Sequence, residues 1–318
     1  MKTLKSTLIV LLSASFLVPA IAHGRLERRD SLLKKWVEKK RDAQRVETLA
    51  TEVTSKPDIA YLNDQNAAHT LDVYIPGKKE KPFTVLVHIH GGGWVMGDKS
   101  LMKTTGLFYA SQGILFITPN YRLSPKAQHP AHVEDCAAAV AWAVRHAEEL
   151  GGDKTRIFLS GHSAGAHLAA LLATDAAYLQ KYGVKPADLA GVVPVDAACY
   201  DLTDDNNERL VKKFIRDSFG TEQSVLKSAS PLYQISGVKR YPKFLILNTM
   251  NRPSAAQGAK LFSDKLKEAG CEARYIPVEN HTHAEMASGM YNRADPVGRA
   301  IFQFLLPPSK ETASQQSL

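Results

Sequence analysis

The segment Gly161-His162-Ser163-Ala164-Gly165 constrains the fold more than any other part of the sequence. It follows the apolar run at residues 156–160 and precedes an alanine- and leucine-rich run at 167–173, which predicts a strand, a sharp turn and a helix in succession. The two glycines suit a turn so tight that a Cβ atom would clash with nearby backbone. A serine at such a turn projects its hydroxyl above the end of the strand, where it can act as a nucleophile. The alternative is a buried serine that only caps the following helix.

The rest of the chain alternates between strand-like and helix-like segments, which is typical of the α/β class with a mostly parallel sheet covered by helices on both faces. Residues 70–76 alternate between apolar and polar as an edge strand does, whereas 84–89 form a continuous apolar run that predicts a strand buried on both faces. Residues 201–230 are polar and irregular, and we expect them to cover the carboxyl edge of the sheet. The other predicted strands are 114–118, 156–160, 190–195, 243–248 and 274–278, and the predicted helices are 131–150, 167–173, 254–269 and 296–306.

The first 22 residues have the pattern of a secretory signal peptide. Lys2 and Lys5 precede an apolar run at residues 8–18, and Ala20 and Ala22 have the spacing of a cleavage site. The pattern predicts cleavage after Ala22 and a secreted or periplasmic protein. The apolar run is too short for a stable membrane anchor, although an uncleaved anchor is the alternative.

Charge is concentrated near the amino terminus. Residues 1–45 carry eleven of the 40 Lys and Arg residues but only four of the 32 Asp and Glu residues, so most of the net charge of +8 lies there. We predict a basic helical segment at residues 23–50, one main folded domain at 51–306 and a disordered tail at 307–318. The domain itself is nearly neutral, which argues against nucleic-acid binding. Binding of the basic segment to a membrane surface or an acidic polymer is an alternative to a solvated helix.

Cys136, Cys199 and Cys271 are too widely separated for a metal site or a disulfide framework, and buried, unreactive thiols are expected. No metal or organic cofactor is indicated. The oligomeric state cannot be predicted from these patterns.

A second motif, His90-Gly91-Gly92-Gly93-Trp94, directly follows the predicted buried strand at residues 84–89. Consecutive glycines allow several backbone N–H groups to point at one position, as acyl transfer requires when negative charge develops on the carbonyl oxygen. We expect the oxyanion to be bound by the N–H groups of Gly91, Gly92 and Ala164. A flexible loop is the alternative reading, and Trp94 is a candidate for lining a substrate pocket or for packing in the core.

These two motifs resemble those of α/β-hydrolases of the hormone-sensitive-lipase-like and feruloyl-esterase-like (BD-FAE-type) group. The stretch Tyr121-Arg122-Leu123-Ser124-Pro125 is similar to one those enzymes carry after the next strand, and residues 161–168 also resemble the serine turn of kynurenine formamidases. The resemblance covers residues 58–306. It implies the α/β-hydrolase fold and a Ser–His–acid hydrolase of small-molecule esters, with Ser163 as the nucleophile.

The general base is expected after the last strand, because the order in this fold is serine, acid, histidine. His281 and His283 are both available, and the family spacing ahead of Asp295-Pro296-Val297 favours His283.

The acid is the point at which the sequence departs from the family pattern. The resemblance places Asn251 where the family has an aspartate, and an amide cannot stabilise the imidazolium that forms during catalysis. Three possibilities remain open: Asn251 occupies the acid position, Asp196 at the end of the preceding strand serves instead, or Glu279 reaches the histidine.

Three functions follow from these observations. A secreted serine esterase is favoured by the two motifs. A formamidase that hydrolyses amides is suggested by the kynurenine-formamidase-like turn, and a weakly active or non-catalytic binding protein is suggested by Asn251.

Overall fold

Apolar, β-branched runs build a single sheet in the part of the chain that the structure describes. The computed structural model describes residues 48, 51–77, 80–237 and 240–306. The chain divides into two units, Met1–Thr51 and Glu52–Leu318, and the fold described here is that of the second. The predicted signal peptide, almost all of the basic segment and the predicted tail lie outside the described residues.

The sheet has eight strands in the order β1-β2-β4-β3-β5-β6-β7-β8. The pairs β1–β2 and β2–β4 are antiparallel, and all the other pairs are parallel, as the mostly parallel sheet predicted from the sequence requires. The strands are β1 (Val53–Ala60), β2 (Thr70–Pro76), β3 (Phe83–Ile89), β4 (Ile114–Pro119), β5 (Gly152–His162), β6 (Gly191–Val195), β7 (Lys243–Thr249) and β8 (Ala273–Val278).

Helices pack on both faces of this sheet, which makes the three-layer arrangement of an α/β protein. They are α1 (Lys103–Ser111), α2 (Ala131–His146), α3 (Ala164–Thr174), α4 (Ala176–Gln180), α5 (Arg209–Phe219), α6 (Gln223–Ser228), α7 (Pro253–Glu268), α8 (His283–Gly289) and α9 (Pro296–Leu305), with short 3₁₀ turns at Ala67–His69, Lys99–Met102, Pro186–Asp188 and Pro231–Gln234.

Alternate residues of the central strand β3 face the two helical layers. Val85, Val87 and Ile89 are buried in the cluster that includes α2, α3 and α7, while residues between them face the layer of α1 and α9. On that second face, Tyr109 of α1 stacks on Phe302 of α9 with ring centroids 5.2 Å apart. This two-sided burial explains why β3 is a continuous apolar run.

Three predicted elements differ from the observed ones. The segment 70–76 is not an edge strand, because β1 pairs with it on its outer side. The strand β1 has few apolar residues and contains Pro57, as exposed edge strands often do, so no pattern in the sequence indicated it. The predicted helix 131–150 ends at His146, since the residues that follow leave the helical pattern: Gly151 N donates to Glu148 O at 2.9 Å and Gly152 N to Ala147 O at 2.7 Å.

The third difference is residues 201–230, which contain the helices α5 and α6 instead of being wholly irregular. Helix α5 buries Val211, Ile215 and Phe219, which recur every four residues on one face of the helix. The three cysteines are unpaired and buried, as predicted. Among the described residues, no helix combines the length and the apolar character that a bilayer span requires.

Candidate active site

The parallel strands end at one edge of the sheet, and every candidate site residue follows one of these ends. Ser163 follows β5, and the glycine loop, which comprises residues 90–94, follows β3. Asp196 follows β6, Asn251 lies after β7, and His283 lies after β8. Sites of α/β sheets lie at this edge, because the loops that follow the strands converge there.

Ser163 occupies the sharp turn that the sequence predicts. Its backbone has φ +57° and ψ −119°, a conformation that residues other than glycine rarely adopt. A Cβ atom on Gly165 would overlap the carbonyl oxygen of Ile89, and one on Gly161 would overlap the backbone of Gly165. The crowding expected from the two glycines is therefore present, and it forces β5 to pass directly into α3 with the serine at the apex.

The glycine loop lies against this serine. A Cβ atom built on Gly91 would be 3.2 Å from the Cβ of Ser163. Gly92 has φ +121°, and its carbonyl accepts the N–H of Met96 at 3.0 Å, which closes the loop into a turn. His90 donates from Nδ1 to the carbonyl of Gly91 at 2.8 Å, and burial lowers the pKa of its imidazole. His90 therefore shapes the loop as a neutral ring.

Trp94 is primarily a core residue. Its side chain is 0% exposed, and its ring meets those of His167 and Phe219 edge to face at centroid distances of 5.1 and 5.0 Å. It also contributes to the wall of the cavity in front of the serine.

His283 is the first residue of α8 and is directed towards Asp196. Its Nδ1 lies 2.5 Å from Oδ2 of Asp196, and its side chain is 39% exposed. The side chain of Asp196 is 0% exposed, and its second oxygen accepts the backbone N–H of Thr249 at 3.3 Å. Since Nδ1 is bonded to the carboxylate, Nε2 is the nitrogen that remains to exchange a proton.

Asn251 is not beside His283. Its side-chain amide donates to the carbonyl oxygen of His281 at 2.9 Å, and the hydroxyl of Thr249 donates to the same oxygen. Asn251 therefore holds the histidine loop, residues 279–283, from the side of β7. The carboxylate that contacts His283 belongs to Asp196, which follows β6. Glu279 is exposed, and its backbone carbonyl accepts a hydrogen bond from His281 Nδ1 at 2.9 Å.

His281, the other candidate base, is held away from this pair. Its Nε2 lies 3.0 Å from Oδ2 of Asp295, and this hydrogen bond raises the pKa of His281. Asp295 also caps α9 by accepting the N–H of Val297 at 2.9 Å. His281 thus links the loop to α9.

Two residues that sequence reasoning did not assign to the site flank His283. The imidazole of His162 lies 4.5 Å from that of His283 between centroids, and its Nε2 donates to the backbone carbonyl of His283 at 3.0 Å. Burial, together with the nearby His283, lowers the pKa of His162 to about 4. On the other side, Nη1 of Arg252 is 3.3 Å from Nδ1 of His283 and 3.3 Å from Oδ2 of Asp196. Only the proximity of Arg252 to Asn251 in the sequence could have indicated it.

The ligating atoms of His162, Asp196 and His283 lie within 4.8 Å of one another, a spacing that a metal ion could use. The guanidinium of Arg252 already places a positive charge beside two of the three, which disfavours a bound cation. The arrangement suits a carboxylate–histidine pair that serves a nucleophile.

Ser163 and His283 line one cavity of about 760 Å³. Its wall is largely apolar, and the side chains of Glu208 and Arg252 are the carboxylate and the guanidinium that reach it. The apolar wall is formed by Met96, Leu101, Met102, Leu210, Val211 and Phe214. The cavity can therefore accept a small molecule with an apolar group next to a reactive serine.

Comparison with known proteins places this arrangement in a family. A family model described as BD-FAE matches residues 71–266. Esterase LipQ of Mycobacterium tuberculosis is 30% identical over 281 residues, which cover 78% of this chain and 65% of that protein. A probable isoprenylcysteine alpha-carbonyl methylesterase, ICMEL1 of Arabidopsis thaliana, is 25% identical over 231 residues, which cover 68% of this chain and 48% of that protein.

The chain thus spans roughly half to two-thirds of the length of these curated relatives. Among solved structures, Esterase B from Lactobacillus rhamnosis superposes with a TM-score of 0.69 at 19% identity, over 92% of this chain and 99% of that one. That likeness concerns the fold. On the family match, the sheet order and this superposition, the chain has the α/β-hydrolase fold and belongs to the BD-FAE family.

Proposed function

We propose that this protein is a serine carboxylesterase in which Ser163, His283 and Asp196 form the catalytic triad. The observation that carries the proposal is the contact between Nδ1 of His283 and the buried carboxylate of Asp196 at 2.5 Å, at the strand edge where Ser163 stands on its turn. The names of the curated relatives, which are esterases, support the same reaction class.

The proposed reaction follows serine-hydrolase chemistry. His283 Nε2 accepts the proton of the Ser163 hydroxyl as its oxygen attacks the ester carbonyl, and Asp196 holds the imidazole in the required tautomer. The tetrahedral oxyanion is bound by the N–H groups of Gly91, Gly92 and Ala164. His283 then protonates the leaving alcohol, and water repeats the sequence on the acyl-enzyme.

The position of Asp196 bears on the alternative of a non-catalytic binding protein. That alternative depended on Asn251 being the partner of the histidine, and the amide instead binds the carbonyl of His281. A carboxylate at the end of β6 supplies the charge that an amide could not. We therefore assign the acid role to Asp196.

A burst experiment tests the proposal. The wild-type protein should release p-nitrophenol from p-nitrophenyl acetate in a burst that is stoichiometric with active sites, and Ser163→Ala should abolish it. Ser288→Ala is the matched control, because Ser288 is exposed and its hydroxyl donates to the backbone carbonyl of Glu285 at 3.2 Å. Turnover by Ser163→Ala equal to that of the control would refute the assignment.

We also propose that the protein is secreted or periplasmic, on the signal-peptide pattern of residues 1–22. Amino-terminal sequencing of the exported protein should then start at His23. A mature chain that starts at Met1 would contradict this.

A further inference from the structure

Arg252 lies at the start of α7 with its guanidinium inside the candidate site. Its side chain is only 11% exposed, and it contacts Glu208, the Asp196–His283 pair and three backbone carbonyl oxygens. Nε donates to Oε1 of Glu208 at 2.8 Å, while Nη1 lies 3.3 Å from both Oδ2 of Asp196 and Nδ1 of His283. One side chain therefore contacts both members of the carboxylate–histidine pair.

The same guanidinium faces the backbone that follows β6. Nη1 lies 3.5 Å from the carbonyl oxygen of Asp196 and 3.4 Å from that of Ala197, and Nη2 lies 3.5 Å from that of Ala198. Asp196 has φ +43°, a left-handed conformation that an aspartate adopts at a cost in free energy. The planar fork of an arginine suits three successive carbonyl oxygens, which a lysine ammonium could not reach together.

The charge of Arg252 also has a direct effect on the pair. The carboxylate of Asp196 is fully buried, and an adjacent cation offsets part of the cost of burying it. The same cation opposes a positive charge on His283, so its net effect depends on what neutralises it. Glu208 on one side offsets part of this charge, and His162 on the opposite side of His283 is neutral at ordinary pH because burial lowers its pKa to about 4.

Glu208 connects this network to the wall of the cavity. It directly precedes α5, whose residues Leu210, Val211 and Phe214 line the cavity in front of Ser163. The ion pair between Arg252 and Glu208 therefore joins the loop that holds the acid to the helix that shapes the substrate pocket.

We propose that Arg252 is a positioning residue that holds Asp196 and the loop after β6 against His283, and that through Glu208 it couples this loop to α5. The inference rests on the proposed esterase function. Arg252 directly follows Asn251, the position at which the family would have its acid. In this chain Arg252 supports Asp196 instead, which follows the neighbouring strand β6.

Steady-state kinetics with p-nitrophenyl acetate test the proposal. Arg252→Ala should lower kcat about a hundred-fold, as expected when a reacting group moves by about 1 Å, and should raise KM about as much as Glu208→Gln does, because both variants lose the link to α5. Millimolar guanidinium should restore part of the lost kcat. Arg252→Lys, which keeps the buried charge but not the fork, should lose less than Arg252→Ala and should not respond to guanidinium. Glu208→Gln should raise KM because the link to α5 is weakened, and should lower kcat by less than Arg252→Ala does, because Arg252 keeps its contacts with Asp196 and His283.

Arg299→Ala is the matched control, because Arg299 is exposed, bonds to the carbonyl of Ala294 at 3.1 Å and is not among the residues that line the cavity. The proposal is overturned if kcat of Arg252→Ala and Arg252→Lys equals that of the control, or if the loss in Arg252→Ala follows its loss of thermal stability and guanidinium restores nothing. A wild-type protein without a burst would refute the proposed esterase function instead, so the two failures are distinguishable.

Discussion

We expect His167 to make the stability of the core behind the candidate active site depend on acid pH. Its Nε2 donates to the carbonyl oxygen of Ala229 at 2.9 Å, and its Nδ1 is buried with no hydrogen-bond partner among the residues that the structure describes. The ring packs between Trp94 and Phe219, which belong to the glycine loop and to α5. Burial lowers the pKa of His167 to about 3, so the folded protein keeps the imidazole neutral.

The size of the effect follows from the difference between the folded and unfolded pKa values. An unfolded histidine takes up a proton below about pH 6.5, whereas the folded one does so only near pH 3. Because the folded pKa is lowered, stability is fully present above the unfolded pKa and is lost as the pH falls towards the folded one. His167 alone should therefore cost about 3 kcal/mol of unfolding free energy between pH 7 and pH 4.

The variant His167→Gln tests this value, because a glutamine amide can donate to the same carbonyl but does not titrate. Urea denaturation at several pH values should show that its unfolding free energy falls about 3 kcal/mol less than that of the wild type from pH 7 to pH 4. Over the same pH range, the unfolding free energy of His281→Gln should fall more than that of the wild type. Asp295 raises the pKa of His281, so protonation of His281 stabilises the folded wild-type protein. Equal slopes for His167→Gln and the wild type would refute the reasoning.

Three further substitutions have defined outcomes. Gly92→Ala places a Cβ atom on the carbonyl of Met96, so kcat on p-nitrophenyl acetate should fall about 100-fold or more as the loop donors are displaced; an unchanged kcat would remove the loop from the mechanism. Lys99→Met breaks the ion pair with buried Asp72 at 2.6 Å and should cost about 3 kcal/mol in urea denaturation, and a loss within error of zero would contradict this. Phe214→Ala removes a ring that lies against the glycine loop, 2.6 Å from the position that a Cβ atom would take on Gly93. The variant should raise kcat/KM for p-nitrophenyl octanoate relative to acetate by about tenfold, and an unaltered ratio would show that the ring does not limit the size of the pocket.

The sequence was sufficient for the elements with strong local signals. Strands buried on both faces, such as 84–89, and the glycines of the serine turn follow from rules that involve only neighbouring residues. Strand β1 and helix α5 were not predicted, because an edge strand exposes polar side chains and the apolar face of α5 lies within a stretch that is otherwise polar. Both elements depend on partners that are distant in the chain.

Within the site, the identity of the acid also depends on contacts that the sequence does not specify. Asp196 and Asn251 both follow strands that end at one edge of the sheet, and their order in the sequence does not state which side chain reaches His283. The left-handed backbone of Asp196 turns its carboxylate towards the histidine, while Asn251 turns to the carbonyl of His281. Arg252 depends on such geometry even more, since its contacts come from the segment after β6, which includes Glu208, and from the loop after β8.

The most direct test of the triad is the turnover of Asp196→Asn and Asn251→Ala measured side by side on p-nitrophenyl acetate. We predict that Asp196→Asn lowers kcat by about 10⁴, the loss that the same change causes in serine proteases, because the imidazole then loses its charged partner. Asn251→Ala should stay within about tenfold of the wild type, because it removes one hydrogen bond to the His281 carbonyl. A larger loss in Asn251→Ala than in Asp196→Asn would contradict the assignment of the acid to β6.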